Sequence, residues 1–387
     1  FKAILVTGAR QVGKTTMLRN LKPDINYVTL DDMLQNQLAQ EDPDLFLKSN
    51  DVPIIIDEVQ YAPDLLRYIK IAVDNSVEKA MFYITGSQQF HLMKNISESL
   101  AGRIGIVNLL GLSLREIKEA DFNLPFMPVN EYLEARNKHA MDISYDEIWN
   151  IIHKGAMPAL YQQESDSELY YSTYVNTYIE RDVRNLTQVG DTLSFLKFMT
   201  ALASRIGQLL NLNSVANEVG ITIPTAQRWL SILISSNIVY LLEPYYNNIM
   251  KRAVKTPKIY FLDTGLVAYL TKWKNKEVLE SGTMAGNFFE NFVIVEIIKS
   301  YYNVGELRPP LYFYRDKEKR EIDLIIEQNG KLYPIEIKKS AKPTKEMIEN
   351  FKVIDKISEV GEGAVICMYD KILDLDKKNK AIPYRYL

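Results

Sequence analysis

The chain has 387 residues, 47% hydrophobic and 25% charged, which allows two or three domains with sizeable cores and excludes wholesale disorder. Its formal net charge of -3 excludes a protein that coats nucleic acid through bulk charge, though not a local basic patch. A single cysteine, Cys367, excludes an intramolecular disulfide and a zinc ribbon, and three histidines (His91, His139, His153) argue against a His-rich metal site.

No apolar run approaches the roughly 18 residues of a membrane span, and no signal peptide is expected. The expectation is a reducing, cytoplasmic setting. The chain opens at Phe1 almost directly on a strand, so residues before it are expected to be missing. The first third alternates strand and helix patterns. Apolar runs at residues 3–7, 26–30, 52–56 and 81–85 read as buried parallel strands, with helices around 15–21 and 65–77. That alternation predicts an α/β fold with a doubly wound parallel sheet. From about Glu131 the pattern is helical and tyrosine-rich. Residues 170–186 read as one amphipathic helix, with Val175, Ile179 and Val183 at spacings of four, and 195–210 as another. Residues 213–219 form a short helix closed by Gly220, and Pro224 opens a second that runs through Ser236. Residues 239–242 and 259–262 read as a strand pair, 287–300 as an apolar helix, and 311–338 as three strands. Soft borders are expected near residues 125 and 275.

Gly8-Ala9-Arg10-Gln11-Val12-Gly13-Lys14-Thr15, followed by Thr16, matches the phosphate-binding pattern G-x-x-x-x-G-K-[ST] between a strand and a helix. The glycines let backbone N–H groups converge on phosphate oxygens, Lys14 supplies charge to the β- and γ-phosphates, and the Thr15 hydroxyl suits Mg²⁺. Ile54-Ile55-Ile56-Asp57-Glu58 ends an apolar strand in two acids. Asp57 is the candidate for the Mg²⁺ shell and Glu58 for polarising the attacking water. In Thr85-Gly86-Ser87-Gln88, Ser87 is the first choice for a γ-phosphate sensor, against a simple Gly-Ser turn. Arg103 is a candidate for stabilising transition-state charge, in this chain or a neighbour.

These segments, with residues 99–103, 155–158, 180–183 and 257–270, resemble a bacterial and archaeal family of AAA+-superfamily P-loop ATPases, over essentially the whole chain. In that family the P-loop domain precedes a domain of unknown function with a winged helix and a PD-(D/E)XK nuclease-like fold. The resemblance implies ATP and Mg²⁺ as ligands. It implies residues 1–125 as the ATPase domain, 126–275 as a helical and winged-helix region, and 276–387 as the nuclease-like domain. Gln88 and Gln89 stand where the family more often has small hydroxyl residues.

The paired helices at 213–236 and the strands after them read as a helix-turn-helix with a wing. Thr225, Gln227, Arg228 and Ser231 would point outward. From Arg205 to Lys258 six basic residues, among them Lys251, Arg252 and Lys255, face two acidic ones. This makes DNA a candidate partner, with a protein partner as the alternative.

At the C-terminal end, Asn329-Gly330 is a hairpin signal that pairs residues whose numbers sum to 659. Asp323 then faces Glu336, and Glu321 faces Lys338, with an apolar opposite face. Asp323, Glu336 and Lys338, joined by Glu290, form the D…E-x-K constellation of those nucleases, so a second divalent-metal site is expected. A solvated charged face balanced by Lys338 is the alternative. The functional expectation is an ATP-driven switch or motor on a nucleic-acid or protein partner. The alternatives are an ATP-gated DNA nuclease and a nucleotide-regulated interaction module, with oligomeric state left open.

Overall fold

The computed structural model describes residues 1–86, 100–162, 166–178, 192–246 and 256–387. The chain divides into two units, Phe1–Gly111 with Ser231–Ile238, and Leu112–Leu230 with Val239–Leu387. No helix among the described residues is long and apolar enough to cross a membrane.

The first unit is built on five parallel strands: β1 (Ala3–Thr7), β2 (Asn26–Thr29), β3 (Ile54–Asp57), β4 (Phe82–Thr85) and β5 (Ile104–Asn108). Their order is β2-β3-β4-β1-β5. Helices α1 (Lys14–Leu21), α2 (Met33–Glu41), α3 (Pro43–Lys48) and α4 (Leu65–Asp74) connect them. The central strands are buried on both faces, as parallel strands must be. Ile54 and Ile56 pack with Phe46 of α3 and with Leu66, Ile69 and Val73 of α4. Ile55, of opposite parity, packs with Leu18 of α1. The sequence patterns locate β1 to β4 but not β5, a half-exposed edge strand interrupted by Gly105. Both α2 and α3 were also unforeseen, although each has a local start signal. Asp32 caps α2 through the N–H groups of Leu34 and Gln35, and Asp42 caps α3 through Leu45, with Pro43 in its first turn.

The second unit joins a helical region to a seven-stranded mixed sheet. Its strands include β6 (Val239–Leu242) and β7 (Lys258–Phe261), which pair antiparallel by themselves. The larger sheet comprises β8 (Leu311–Arg315), β9 (Glu321–Gln328), β10 (Lys331–Lys338), β11 (Glu359–Val360), β12 (Gly363–Cys367), β13 (Leu373–Asp374) and β14 (Asn379–Pro383). The β9–β10 ladder runs from Gln328/Lys331 to Leu324/Ile335, the expected register, and Asn329 and Gly330 both adopt positive φ in its turn. Within this unit, buried links join the helical region to the sheet region. Asn291, on the helix Ala285–Tyr302, accepts from the Phe261 N–H at 2.9 Å and donates to the Phe261 carbonyl at 2.8 Å. The buried Arg136 donates to the carbonyl of Leu387.

The 155–158 and 257–270 segments meet at Asp263. Its carboxylate caps the helix Thr264–Leu270 through Leu266 N–H (2.7 Å) and accepts from Ala156 N–H (2.7 Å) and Tyr171 O–H (2.8 Å). Gly155 sits at φ 85°, and a Cβ there would lie 2.7 Å from Asp263 Oδ1 and inside van der Waals contact of the Tyr171 hydroxyl. Gly155→Ala should therefore destabilise the second unit by about 2–3 kcal/mol, from overpacking plus left-handed strain. A thermal melt unchanged from wild type would remove this packing role.

Candidate functional site

The phosphate-binding pattern occupies the turn from β1 into α1. Gly8 adopts φ 150°, and a Cβ on it would collide with the Leu109 carbonyl oxygen. Gly13 adopts φ 93° with open space where a Cβ would stand, so its requirement is conformational. Gln11 is also left-handed, at φ 60°. The loop thus turns tightly and delivers the opening N–H groups and the positive end of α1 toward its own concavity. Ala9 and Val12 pack inward, Arg10 is half-buried, and Gln11 and Thr16 are exposed. Lys14 is 8% exposed, and its ammonium donates to the carbonyls of Gly8 (3.1 Å) and Ala9 (2.8 Å).

Asp57, 6% exposed at the end of β3, is the hub of this site. Thr15 Oγ1 lies 3.0 Å from each of its carboxylate oxygens, and the Tyr27 hydroxyl donates to Oδ2 at 2.9 Å. The Thr85 hydroxyl donates to Oδ1. Burial and the adjacent carboxylate push the Tyr27 phenol up to about 12, so it stays a donor. Glu58 follows in a left-handed conformation (φ 57°) that ends the strand, and its carboxylate accepts from the Gln60 amide. Asp57 thus stands against Thr15, and Glu58 follows it at the strand end. Tyr27 and Thr85 were not singled out. Thr85 ends β4, the strand between β1 and β3, and so reaches both the Asp57 carboxylate and, at 3.4 Å, the Glu58 N–H. Ser87, the expected sensor, lies outside the described residues.

Arg103 is not brought to this site. It precedes Ile104, which pairs with Ala3, whereas the loop leaves β1 after Thr7. At ~3.3 Å per residue, that places Arg103 roughly 15 Å from the loop, at the opposite end of the sheet. There its Nε pairs with Asp74 at 2.5 Å.

In the second unit, Glu290, Glu321, Asp323, Glu336 and Lys338 do cluster, and the alternative of a solvated face does not hold: Asp323 and Glu336 are buried. Beyond the ladder, the Asp323 carboxylate accepts from Ile337 N–H at 2.9 Å. Lys338 Nζ lies 2.6 Å from Glu336 Oε1 and 3.5 Å from Asp323 Oδ2. Lys258, expected as a basic residue of the wing, is instead inside this cluster, 2.6 Å from Glu321 Oε1 and 3.2 Å from Glu290 Oε1. Among the described residues, no group of three or more His, Cys, Asp or Glu side chains is arranged to hold a metal ion. Glu336 Oε2 is buried without a hydrogen-bond partner, but one such oxygen falls short of the several converging ones a hard cation takes.

Burial, then the Asp323 charge, pushes the Glu290 carboxyl up to about 7 and the Glu336 carboxyl up to about 8. Both folded-state values lie above the ordinary 4.5, so the folded state holds protons that the unfolded chain releases. Their contribution is fully present below about pH 4.5 and is lost as pH rises toward 8. The second unit should accordingly melt higher at pH 5.5 than at pH 8. Glu336→Gln, which mimics the protonated acid, should flatten that dependence and add about 1–2 kcal/mol at pH 8. A variant with the same pH slope as wild type would contradict this.

The helices Leu212–Val219 and Ile223–Ser235 present Gln227, Arg228 and Ser231 at the surface, with Thr225 half-buried. Two of the six basic residues counted for this region are neutralised internally: Lys258 as above, and Arg205 by Glu218. Lys251, Arg252 and Lys255, like residues 180–183, lie outside the described residues.

Comparison with known proteins adds the family. Residues 1–118 match an AAA domain, 145–277 a domain of unknown function (DUF8612), and 285–387 another (DUF4143). An uncharacterized Mycobacterium tuberculosis protein, Rv2008c, is 31% identical over 88% of this chain and 71% of its own length. An uncharacterized Methanocaldococcus jannaschii protein, MJ1544, is 22% identical over 84% of this chain and 72% of its own. Among solved structures, a Thermotoga maritima RuvB variant aligns with TM-score 0.30 and 16% identity, over 62% of this chain and 82% of that one. The family models and the Mycobacterium tuberculosis relative show that the chain belongs to a family of AAA+-superfamily P-loop ATPases that carry a C-terminal domain of unknown function.

Proposed function

We propose that this chain binds ATP with Mg²⁺ at the 8–16 loop, hydrolyses it, and uses the cycle as a switch or motor on a macromolecular partner. The observation that carries the reading is the convergence of Thr15, Thr85 and Tyr27 on one buried Asp57 carboxylate beside the loop. The residues present fit the group: Lys14 and the loop N–H groups would hold phosphate oxygens, and Thr15 and Asp57 the cation. Mg²⁺, when bound, neutralises charge on the β- and γ-phosphates. Asp57 fixes the Thr15 hydroxyl, and Thr85 ties Asp57 to the Glu58 backbone, so the carboxylates are preorganised. Glu58 is the base that takes a proton from the attacking water.

The exposed Gln227 and Arg228 of the second unit favour a nucleic-acid partner over a protein one. Nothing in the acid cluster of the second unit favours the ATP-gated nuclease. The test is phosphate release from ATP with and without duplex DNA. Stimulation that is lost in Arg228→Ala supports a nucleic-acid partner. Turnover indifferent to DNA selects the protein partner. Absence of turnover under both conditions overturns hydrolysis.

A further inference from the structure

The ammonium of Lys258 is 2% exposed and sits among acids, 2.6 Å from Glu321 Oε1, 3.2 Å from Glu290 Oε1 and 3.9 Å from Asp323 Oδ1. Its backbone is fixed from two sides. Lys258 pairs with Leu242 in the β6–β7 ladder and forms a bridge with Leu209. The flanking residues are held as well, Pro257 by Leu210 N–H (2.9 Å) and Ile259 by Gln208 (3.1 Å). The acids are held in turn. Tyr260 donates to Glu290 Oε1 at 2.7 Å, and Arg315 pairs with Glu321 Oε2 at 2.8 Å. Gly207 approaches so closely that a Cβ would lie 3.3 Å from the Glu290 carboxylate.

Charge arithmetic gives this arrangement its meaning. Four carboxylates (Glu290, Glu321, Asp323, Glu336) face three cations (Lys258, Arg315, Lys338). With every carboxyl ionised the balance is one negative charge, which protonation at Glu290 or Glu336 removes. Adding a divalent cation would leave an excess positive charge in a buried site. Taking Lys258 away would leave two negative charges, the complement of a divalent ion. Burial alone would push the Lys258 ammonium toward neutrality, but Glu290, Asp323 and Glu321 more than offset this and raise it, so the charge persists at neutral pH.

We infer that Lys258 is a built-in counter-cation that takes the place of a divalent metal in this carboxylate cluster, so that the second unit is metal-free and does not cut nucleic acid. An ammonium satisfies acid oxygens through its three N–H bonds. It offers no open coordination position and no Lewis acidity, so it cannot lower the pKa of a water as a metal does. The cluster keeps its charges without the chemistry. This inference is independent of the ATPase reading.

The test uses the full chain without nucleotide and measures Mn²⁺ binding and melting for wild type, Asp323→Asn, Lys258→Ala and the double variant. Wild type and Asp323→Asn should show the same Mn²⁺ titration and the same small melting shift. Lys258→Ala should melt lower than wild type without metal, recover with Mn²⁺, and lose that recovery when Asp323→Asn is added. Saturable Mn²⁺ binding by wild type that disappears in Asp323→Asn would overturn the inference, whether or not Lys258→Ala folds. So would Mn²⁺-dependent nicking of plasmid DNA by wild type that Asp323→Asn abolishes. A folded Lys258→Ala with no Mn²⁺ response beyond that of wild type would overturn it too.

Discussion

Lys14→Ala should weaken ATP binding by ~10²-fold or more while leaving the first unit folded. The size follows from removing a charged hydrogen-bond partner of phosphate in a largely desolvated site, a loss of about 2–5 kcal/mol. The fold should survive because the Lys14 amine donates to the loop carbonyls of Gly8 and Ala9, while the α1 packing rests on Leu18. Loss of those two contacts should cost about 1 kcal/mol of stability. Calorimetric titration with ATP, beside a thermal melt, separates the two quantities. Unchanged affinity in a folded variant would remove the phosphate-binding role of the loop.

Glu58→Gln should leave ATP binding near the wild-type level and slow hydrolysis by ~10²–10⁴-fold, the range for a lost general base. The substitution keeps the shape and the left-handed backbone at φ 57°, and the new amide oxygen can still accept from Gln60. Asp57→Asn should behave differently. It disturbs the acceptor shared by Thr15, Thr85 and Tyr27, so it should raise the Mg²⁺ concentration needed for turnover. Equal turnover in wild type and Glu58→Gln, measured as single-turnover phosphate release, would take Glu58 out of the mechanism.

The legible parts of this site are the ones written locally. The 8–15 run and the Ile54 to Glu58 run each lie within one strand and the turn after it, so composition and spacing reveal them. Thr85 and Tyr27 are ordinary residues of β4 and β2 until the parallel order β2-β3-β4-β1-β5 flanks β3 with both strands, where Thr85 ends β4 and Tyr27, paired with Ile55, reaches Asp57 with its hydroxyl. That order depends on tertiary packing, which a single chain does not display. Arg103 shows the reverse. It looks functional beside Gly102, but the register of β5 against β1 sends it to the far end of the sheet.

Lys258 was hardest to read. It is 32 residues from Glu290 and more than 60 from Glu321 and Asp323, and it follows a run of lysines and arginines that reads as a solvated patch. The hairpin register was legible through Asn329-Gly330, but the burial of its acidic face was not. Burial there follows from the β7 strand and the helix Ala285–Tyr302 contributing Lys258, Tyr260 and Glu290 to the same face.

The most direct measurement of the central claim is phosphate release from ATP by purified wild type and Lys14→Ala, each with Mg²⁺ and with the metal chelated. The account predicts release by wild type that requires Mg²⁺ and falls to background in Lys14→Ala. Release that is equal in the two proteins, or no release by wild type, would contradict it.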